Sequence, residues 1–98
     1  MSGGYFDYAQ YHIPGIIDRI QEAIEGNDVK PEGYPDKYWK GQIYTPETIA
    51  DFHQCVRLLR IAMAYIKSID YLLSGDDNEH YYHERLREEL KALREKTK

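Results

Sequence analysis

Apolar residues recur every three or four positions in three segments of the chain, and this spacing predicts three helices. The first helix is expected at about 13–25, with Pro14 in its first turn and isoleucines along one face. The second and third are expected at 45–73 and 78–95. Between the first two helices, residues 26–44 are rich in proline, glycine and charged residues, so they predict a loop.

The second helix has a clear start signal and two apolar stripes. Thr45 is a typical N-cap, Pro46 suits the first helical position, and Glu47 favours the positive end of the helix dipole. The first stripe consists of Ile49, Phe52, Val56, Leu59, Met63 and Ile66, and the second of Cys55, Leu58, Ala62, Tyr65, Ile69 and Leu72. Two stripes predict neighbours on more than one side, so this helix is expected to be central.

The length and ending of the second helix predict the rest of the architecture. At about 1.5 Å per residue it spans roughly 43 Å, more than a compact domain of this size needs, so self-association is expected. Ser74 and Gly75 end it, and Asp76, Asp77 or Asn78 is expected to cap the third helix. The sequence therefore predicts one all-α domain over 1–98: a short N-terminal helix plus a long antiparallel helical hairpin, in an oligomer.

Charge and composition narrow the classes of partner. The formal net charge is −4, and residues 1–36 carry seven acids against two bases. No segment is basic enough to indicate duplex nucleic-acid binding, whereas the acidic front half could meet a basic protein surface or simply keep the chain soluble. The single Cys55, the lack of a signal-peptide pattern and the lack of a long apolar run favour a cytoplasmic protein without a membrane span.

Metal and catalytic patterns are weak. His80 and His83 are three residues apart, a spacing that can ligate a metal, but His53 and Cys55 would lie far along the hairpin from them. Neither a metal nor another cofactor is therefore predicted. A glycine-rich phosphate loop and a nucleophile–base pair are both absent from the sequence, so no catalytic residue and no enzymatic activity are predicted.

Asp70 is the polar residue that the pattern places where an apolar one is expected, because it continues the first stripe of the second helix. A buried carboxylate needs a hydrogen-bonding partner. The hairpin geometry predicts that this partner is His83, a tyrosine hydroxyl or Arg85. The pair would either hold the hairpin together or form the floor of a site.

Cations and tyrosines supply a candidate ligand site. Three cations, Arg57, Arg60 and Lys67, lie along a third strip of the second helix. The chain also has ten tyrosines, which offer flat faces with a polar tip. Together they provide charges for phosphate groups and rings for stacking bases. The candidate ligand-binding set is Arg57, Arg60, Lys67, Asp70, Tyr71, Tyr8, Tyr11 and His83. The alternative is that the cations form ion pairs with Glu88, Glu89 or the acidic first helix, and that the tyrosines edge a thin core.

Five segments of the chain resemble a group of small proteins that phages and prophages encode. The shared segments are GGYFDY at 3–8, YTPETI at 44–49, LLR at 58–60, IDYLLSGDD at 69–77 and HERL at 83–86. The chain departs from the group after Asp77, where it has Asn78-Glu79-His80 in place of a glycine followed by two acids.

This resemblance implies a biological role but no catalysed reaction. Small acidic phage proteins without enzyme motifs are often antagonists of host defence. The expected architecture is similar to that of phage proteins that sequester a nucleotide immune signal, of the cyclic nucleotide or cyclic ADP-ribose type, in oligomers. Two alternatives stay open: direct inhibition of a host defence complex through the acidic surface, as anti-CRISPR proteins do, and a structural or regulatory role in the phage.

Overall fold

The computed structural model describes residues 6, 9–75 and 78–96, and in these residues it is all-helical, with no strand. The fold class predicted from the sequence is confirmed at this level. The α-helices are α1 (Ile13–Glu25), α2 (Pro46–Leu73) and α3 (Glu79–Lys96). A short 3₁₀ segment, Ala9–His12, leads into α1, and a second, Asp36–Tyr38, lies in the long connection between α1 and α2.

Local sequence explains where α2 and α3 begin. The Thr45 side chain accepts a hydrogen bond from the backbone N–H of Thr48 at 3.4 Å, and Pro46 occupies the first helical turn. Of the three capping candidates at the start of α3, Asp76 and Asp77 lie outside the described residues. Asn78 does cap this helix, because its Oδ1 accepts a hydrogen bond from the Tyr81 N–H at 3.0 Å.

The end of α2 depends on a glycine. The N–H of Ser74 donates to the Asp70 carbonyl at 2.9 Å, and Gly75 follows with a φ of +82°. A positive φ is strained for residues with a side chain, so glycine is the residue that can turn the chain here.

The three helices form a single flat layer. Helix α2 contacts α1 and α3, whereas α1 and α3 do not contact each other. The principal-axis extents are 61 × 29 × 14 Å, and the smallest of them is little more than the roughly 10–12 Å diameter of one helix. The Cα radius of gyration is 18.3 Å, against about 13 Å for a compact domain of this length.

A single layer leaves little room for a core. Among the described residues, the buried apolar side chains are Ile17 of α1 together with Val56 and Ala64 of α2. Three polar residues are also buried: Gln10, Ser68 and Asp70. The first predicted stripe of α2 is buried or half-buried along its length, which agrees with its packing against α1.

One asparagine joins the two ends of the loop between α1 and α2 by hydrogen bonds. Asn27 Oδ1 accepts a hydrogen bond from the Tyr44 N–H at 2.8 Å, and Asn27 Nδ2 donates to the Tyr44 carbonyl at 3.1 Å. The Asn27 carbonyl also accepts from the Ile43 N–H at 2.8 Å. These bonds bring both ends of the loop together, while Tyr34 and Trp39 pack edge to face within it at 5.9 Å between ring centroids.

No helix in the described part of the chain has the length and apolar character needed to cross a membrane.

Candidate functional site

Helix α2 presents two different strips on opposite sides of the layer. Leu58 and Lys67 are nine residues apart, about two and a half turns, so their side chains leave the helix in opposite directions. On the Lys67 side lies the cationic strip, which consists of His53, Arg60, Lys67 and Tyr71. On the Leu58 side lies the apolar strip, which consists of Cys55, Leu58, Ala62, Tyr65, Ile69 and Leu73.

A cation–aromatic cluster forms where the cationic strip meets α3. The guanidinium of Arg85 lies 4.2 Å from the centroid of the Tyr71 ring. One turn away, Lys67 Nζ is 3.3 Å from Glu89 Oε1. The four side chains line a shallow depression of about 270 Å³. The cluster therefore places two positive charges, one negative charge and one aromatic ring around a small surface depression.

The ion pair in this cluster is accessible. The side chains of Lys67 and Glu89 are 52% and 33% exposed. Exposed ion pairs typically contribute about 0–1 kcal/mol, because water screens the charges and ordering long side chains costs entropy. An incoming anion could therefore displace Glu89 from Lys67 at small cost.

A group of hydrogen-bonded polar side chains is buried on the side of α2 that faces the N-terminal segment. Asp70 is 1% exposed, and its Oδ2 accepts a hydrogen bond from Gln10 Nε2 at 2.9 Å. Ser74 Oγ lies 3.5 Å from Asp70 Oδ1. The Gln10 bond joins residues 60 positions apart, so it fixes the 3₁₀ segment Ala9–His12 onto the end of α2. The sequence correctly places Asp70 among buried residues, but it does not identify Gln10.

Among the residues that the structure describes, two buried polar atoms near α2 lack a hydrogen-bond partner. They are Gln10 Oε1 and Ser68 Oγ, and Ser68 has no exposed surface. A serine hydroxyl inside a helix can donate a hydrogen bond to the carbonyl one turn earlier or to a water. We therefore do not interpret these two atoms as part of a ligand pocket.

The remaining predicted ligand residues do not gather at one place. Arg57 donates to Gln54 at 3.4 Å and, with Arg94, flanks a groove between α2 and α3. Arg60 is half-buried on the cationic strip, while Tyr11 is 62% exposed next to the buried Gln10. Tyr8 lies outside the described residues.

His83 lies on the surface of α3 and not beside a buried carboxylate. It is exposed, and its ring packs against its neighbour Tyr82 at 5.0 Å between centroids. His80 forms an exposed pair with Glu84 at 3.4 Å. In the described part of the chain, histidine, cysteine and acidic side chains do not form any group of three or more that could hold a metal.

The outer face of α3 carries a concave region of about 610 Å³. Its lining residues are Tyr81, Glu84, Arg85, Arg87, Glu88 and Lys91, all from one helix. Residues of one straight helix cannot surround a ligand, and their mixed charges favour ion pairs along the helix. The cation–aromatic cluster is the better candidate, because two helices contribute to it.

Comparison with known proteins adds no relative: no protein-family model, curated protein or solved structure matches the chain. The candidate site is therefore defined by its geometry.

Proposed function

We propose that this chain is a phage-encoded, non-enzymatic binding protein that antagonises host antiviral defence by sequestering a small nucleotide signal. The signal would be of the cyclic nucleotide or cyclic ADP-ribose class. The working form would be an oligomer of antiparallel helical hairpins in the host cytoplasm. The observation that carries the proposal is the cation–aromatic cluster between α2 and α3.

The chemistry of the cluster suits a nucleotide. Lys67 and Arg85 offer charge-assisted hydrogen bonds to phosphate oxygens. The Tyr71 ring and the planar guanidinium of Arg85 offer flat surfaces on which a base can stack. Because Lys67 is held by an exposed ion pair to Glu89, a phosphate can replace that carboxylate with little loss of stability.

Contacts between α2 and α3 support the hairpin part of the proposal. Tyr71 of α2 contacts Arg85 of α3, and Lys67 of α2 contacts Glu89 of α3. From the first contact to the second, the chain position falls by four residues on α2 and rises by four residues on α3. Partners that move in opposite directions along the two helices are those of an antiparallel pair.

Calorimetric titration and thermal shift with cyclic mononucleotides, cyclic dinucleotides and cyclic ADP-ribose test the proposal. We expect one class to raise the melting temperature, since a ligand that binds the folded state stabilises it. Arg85→Gln should remove that shift, whereas Arg19→Gln, the same charge change on exposed α1, should leave it. If none of the three classes changes the melting temperature of the wild-type protein, the sequestration proposal is wrong.

A second candidate is direct inhibition of a host defence protein, and the surface of α1 favours it. Three carboxylates of α1, Asp18, Glu22 and Glu25, are exposed, and Asp28 follows them. Such a surface would steer the chain toward a basic partner in a salt-dependent way. Co-purification from infected cells at low and high salt tests this alternative, and charge reversal at Glu22 and Glu25 should abolish the capture.

A further inference from the structure

In the described part of the chain, the apolar strip of α2 has three large side chains that are exposed, while Ala62 and Ile69 are half-buried. Leu58 is 53% exposed, Tyr65 is 42% exposed and Leu73 is 48% exposed. The strip carries no charged residue from Cys55 to its end, and its members are three or four residues apart. This spacing is that of a helix seam that packs against another helix.

The helices of the molecule form one layer, which leaves both of its faces open to solvent. Helical domains bury their apolar stripes between at least two packed layers, whereas this chain forms one layer 14 Å thick. Its accessible surface is 7556 Å². A compact monomer of 11.6 kDa would expose about 5,800 Å². The surplus of about 1,700 Å² exceeds the roughly 800 Å² that each partner buries in a standard stable interface.

A groove beside the strip can receive side chains from a partner. It lies between α2 and α3 and has a volume of about 270 Å³. Its floor consists of Ile61, Tyr65, Leu90 and Leu93, with an arginine at either side. An apolar floor next to an apolar strip favours an apolar occupant over a nucleotide.

We propose that a second copy of this chain packs its own apolar strip against this one, with the two α2 helices antiparallel. The inference rests on the oligomer of the proposed function and names its interface. In this register Ala62 faces Tyr65 of the second copy, and Leu58 faces Ile69. The large Tyr65 then lies opposite the small Ala62, and Leu58 and Ile69 pair two aliphatic side chains of equal size, so space is filled evenly. A parallel pair would instead oppose Tyr65 to Tyr65 and Ala62 to Ala62, which leaves a gap beside a crowded contact.

The mass of the protein in solution tests the interface. Native mass spectrometry should give two chains or an even multiple of 11.6 kDa. Leu58→Glu and Tyr65→Glu should each reduce the assembly, because two carboxylates would be buried against an apolar surface. Lys67→Glu, on the opposite side of α2, should leave the mass unchanged. A monomeric wild type, or an assembly that survives both glutamates, would overturn the proposal.

Controls separate loss of assembly from loss of folding. Leu58 and Tyr65 are both partly exposed, so helicity measured by circular dichroism should be retained in their glutamate variants. The milder Leu58→Ala should weaken assembly at least about tenfold, since both copies lose the half-exposed apolar side chain that the interface would bury. A Leu58→Ala assembly as tight as the wild type would contradict the proposal even if the glutamate variants fail to fold.

Thiol crosslinking tests the antiparallel register. Cys55 is exposed on the apolar strip, and the register places it within one residue of the level of Leu73 of the second copy. A short bifunctional thiol reagent should therefore crosslink Leu73→Cys dimers much faster than the wild type, whose Cys55 residues lie at opposite ends. Val29→Cys is the matched exposed control outside the strip. Faster crosslinking of the wild type would overturn the antiparallel arrangement.

The outcomes also separate this inference from the proposed function. If the protein is a dimer that binds no nucleotide, the sequestration proposal is wrong and the interface proposal is supported. If the protein is a monomer whose melting temperature rises with a nucleotide, the interface proposal is wrong and the nucleotide site is supported. A strip that captures a host protein while the chain stays monomeric would assign this surface to that partner instead.

Discussion

The cationic strip and the apolar strip lie on opposite sides of the same helix, and the chain leaves both uncovered. Lys67 on one side can remain in water without cost, because its charge is hydrated and its ion pair to Glu89 is exposed. For Leu58 and Tyr65 on the other side exposure to water has a cost, because exposed apolar area is unfavourable in proportion to its size. The comparison teaches that exposure favours different proposals on the two sides: a ligand surface for the cationic strip and an interface with a second copy for the apolar strip.

The largest expected difference between the two sides is in self-association. The double variant Leu58→Ala, Tyr65→Ala should raise the dissociation constant by about 10²–10⁴-fold, since a dimer loses four side chains, and each, being 53% or 42% exposed, contributes about half of the roughly 1.5–3 kcal/mol of full burial. Sedimentation equilibrium measures this change. The matched double variant Arg60→Ala, Lys67→Ala on the cationic strip should change the constant less than about threefold. Equal effects from the two double variants would erase the distinction between the strips.

Substitution of the buried Asp70 should have the next largest effect, which is on the free energy of unfolding. Asp70→Ala leaves the Gln10 amide buried without its acceptor, which should lower the free energy of unfolding by about 1–3 kcal/mol. Urea unfolding at fixed protein concentration measures it. The double variant Gln10→Ala, Asp70→Ala should lose less than the sum of the single changes, because each single change removes the same bond. Additive losses would show that Gln10 and Asp70 act independently.

Much of the fold follows from local signals that the sequence contains. The Thr45-Pro46 pair marks the start of α2 within one residue, and Gly75 marks its end, because capping and positive φ depend on nearby residues alone. Burial of Asp70 also follows from its place in an apolar stripe. Its hydrogen bond to Gln10 does not, since Gln10 comes from a segment 60 residues away that has no periodic pattern.

The candidate site was predictable only in part, for the same physical reason. Arg57 and Lys67 share a strip in sequence spacing, yet α3 separates their surroundings: Lys67 meets Glu89, whereas Arg57 flanks the apolar groove. Arg85 reaches the Tyr71 ring through the packing of two helices, which no spacing rule specifies. The stripe containing Leu58 and Tyr65 was visible in sequence, but only the structure reveals that the chain leaves it uncovered.

The smallest expected effect on stability belongs to the cationic strip, and it is the most informative one for function. Lys67→Ala removes an ion pair that is 52% and 33% exposed, so the free energy of unfolding should fall by less than about 1 kcal/mol. The same change should weaken nucleotide binding at least about tenfold, because a charge-assisted bond to phosphate contributes roughly 1.5–3 kcal/mol. Thermal melts with and without nucleotide measure both quantities on one sample. Glu89→Gln should do the reverse and strengthen binding, because it removes the carboxylate that competes with phosphate for Lys67. If Lys67→Ala and Glu89→Gln change binding in the same direction, the cationic strip is a structural surface and the ligand site lies elsewhere.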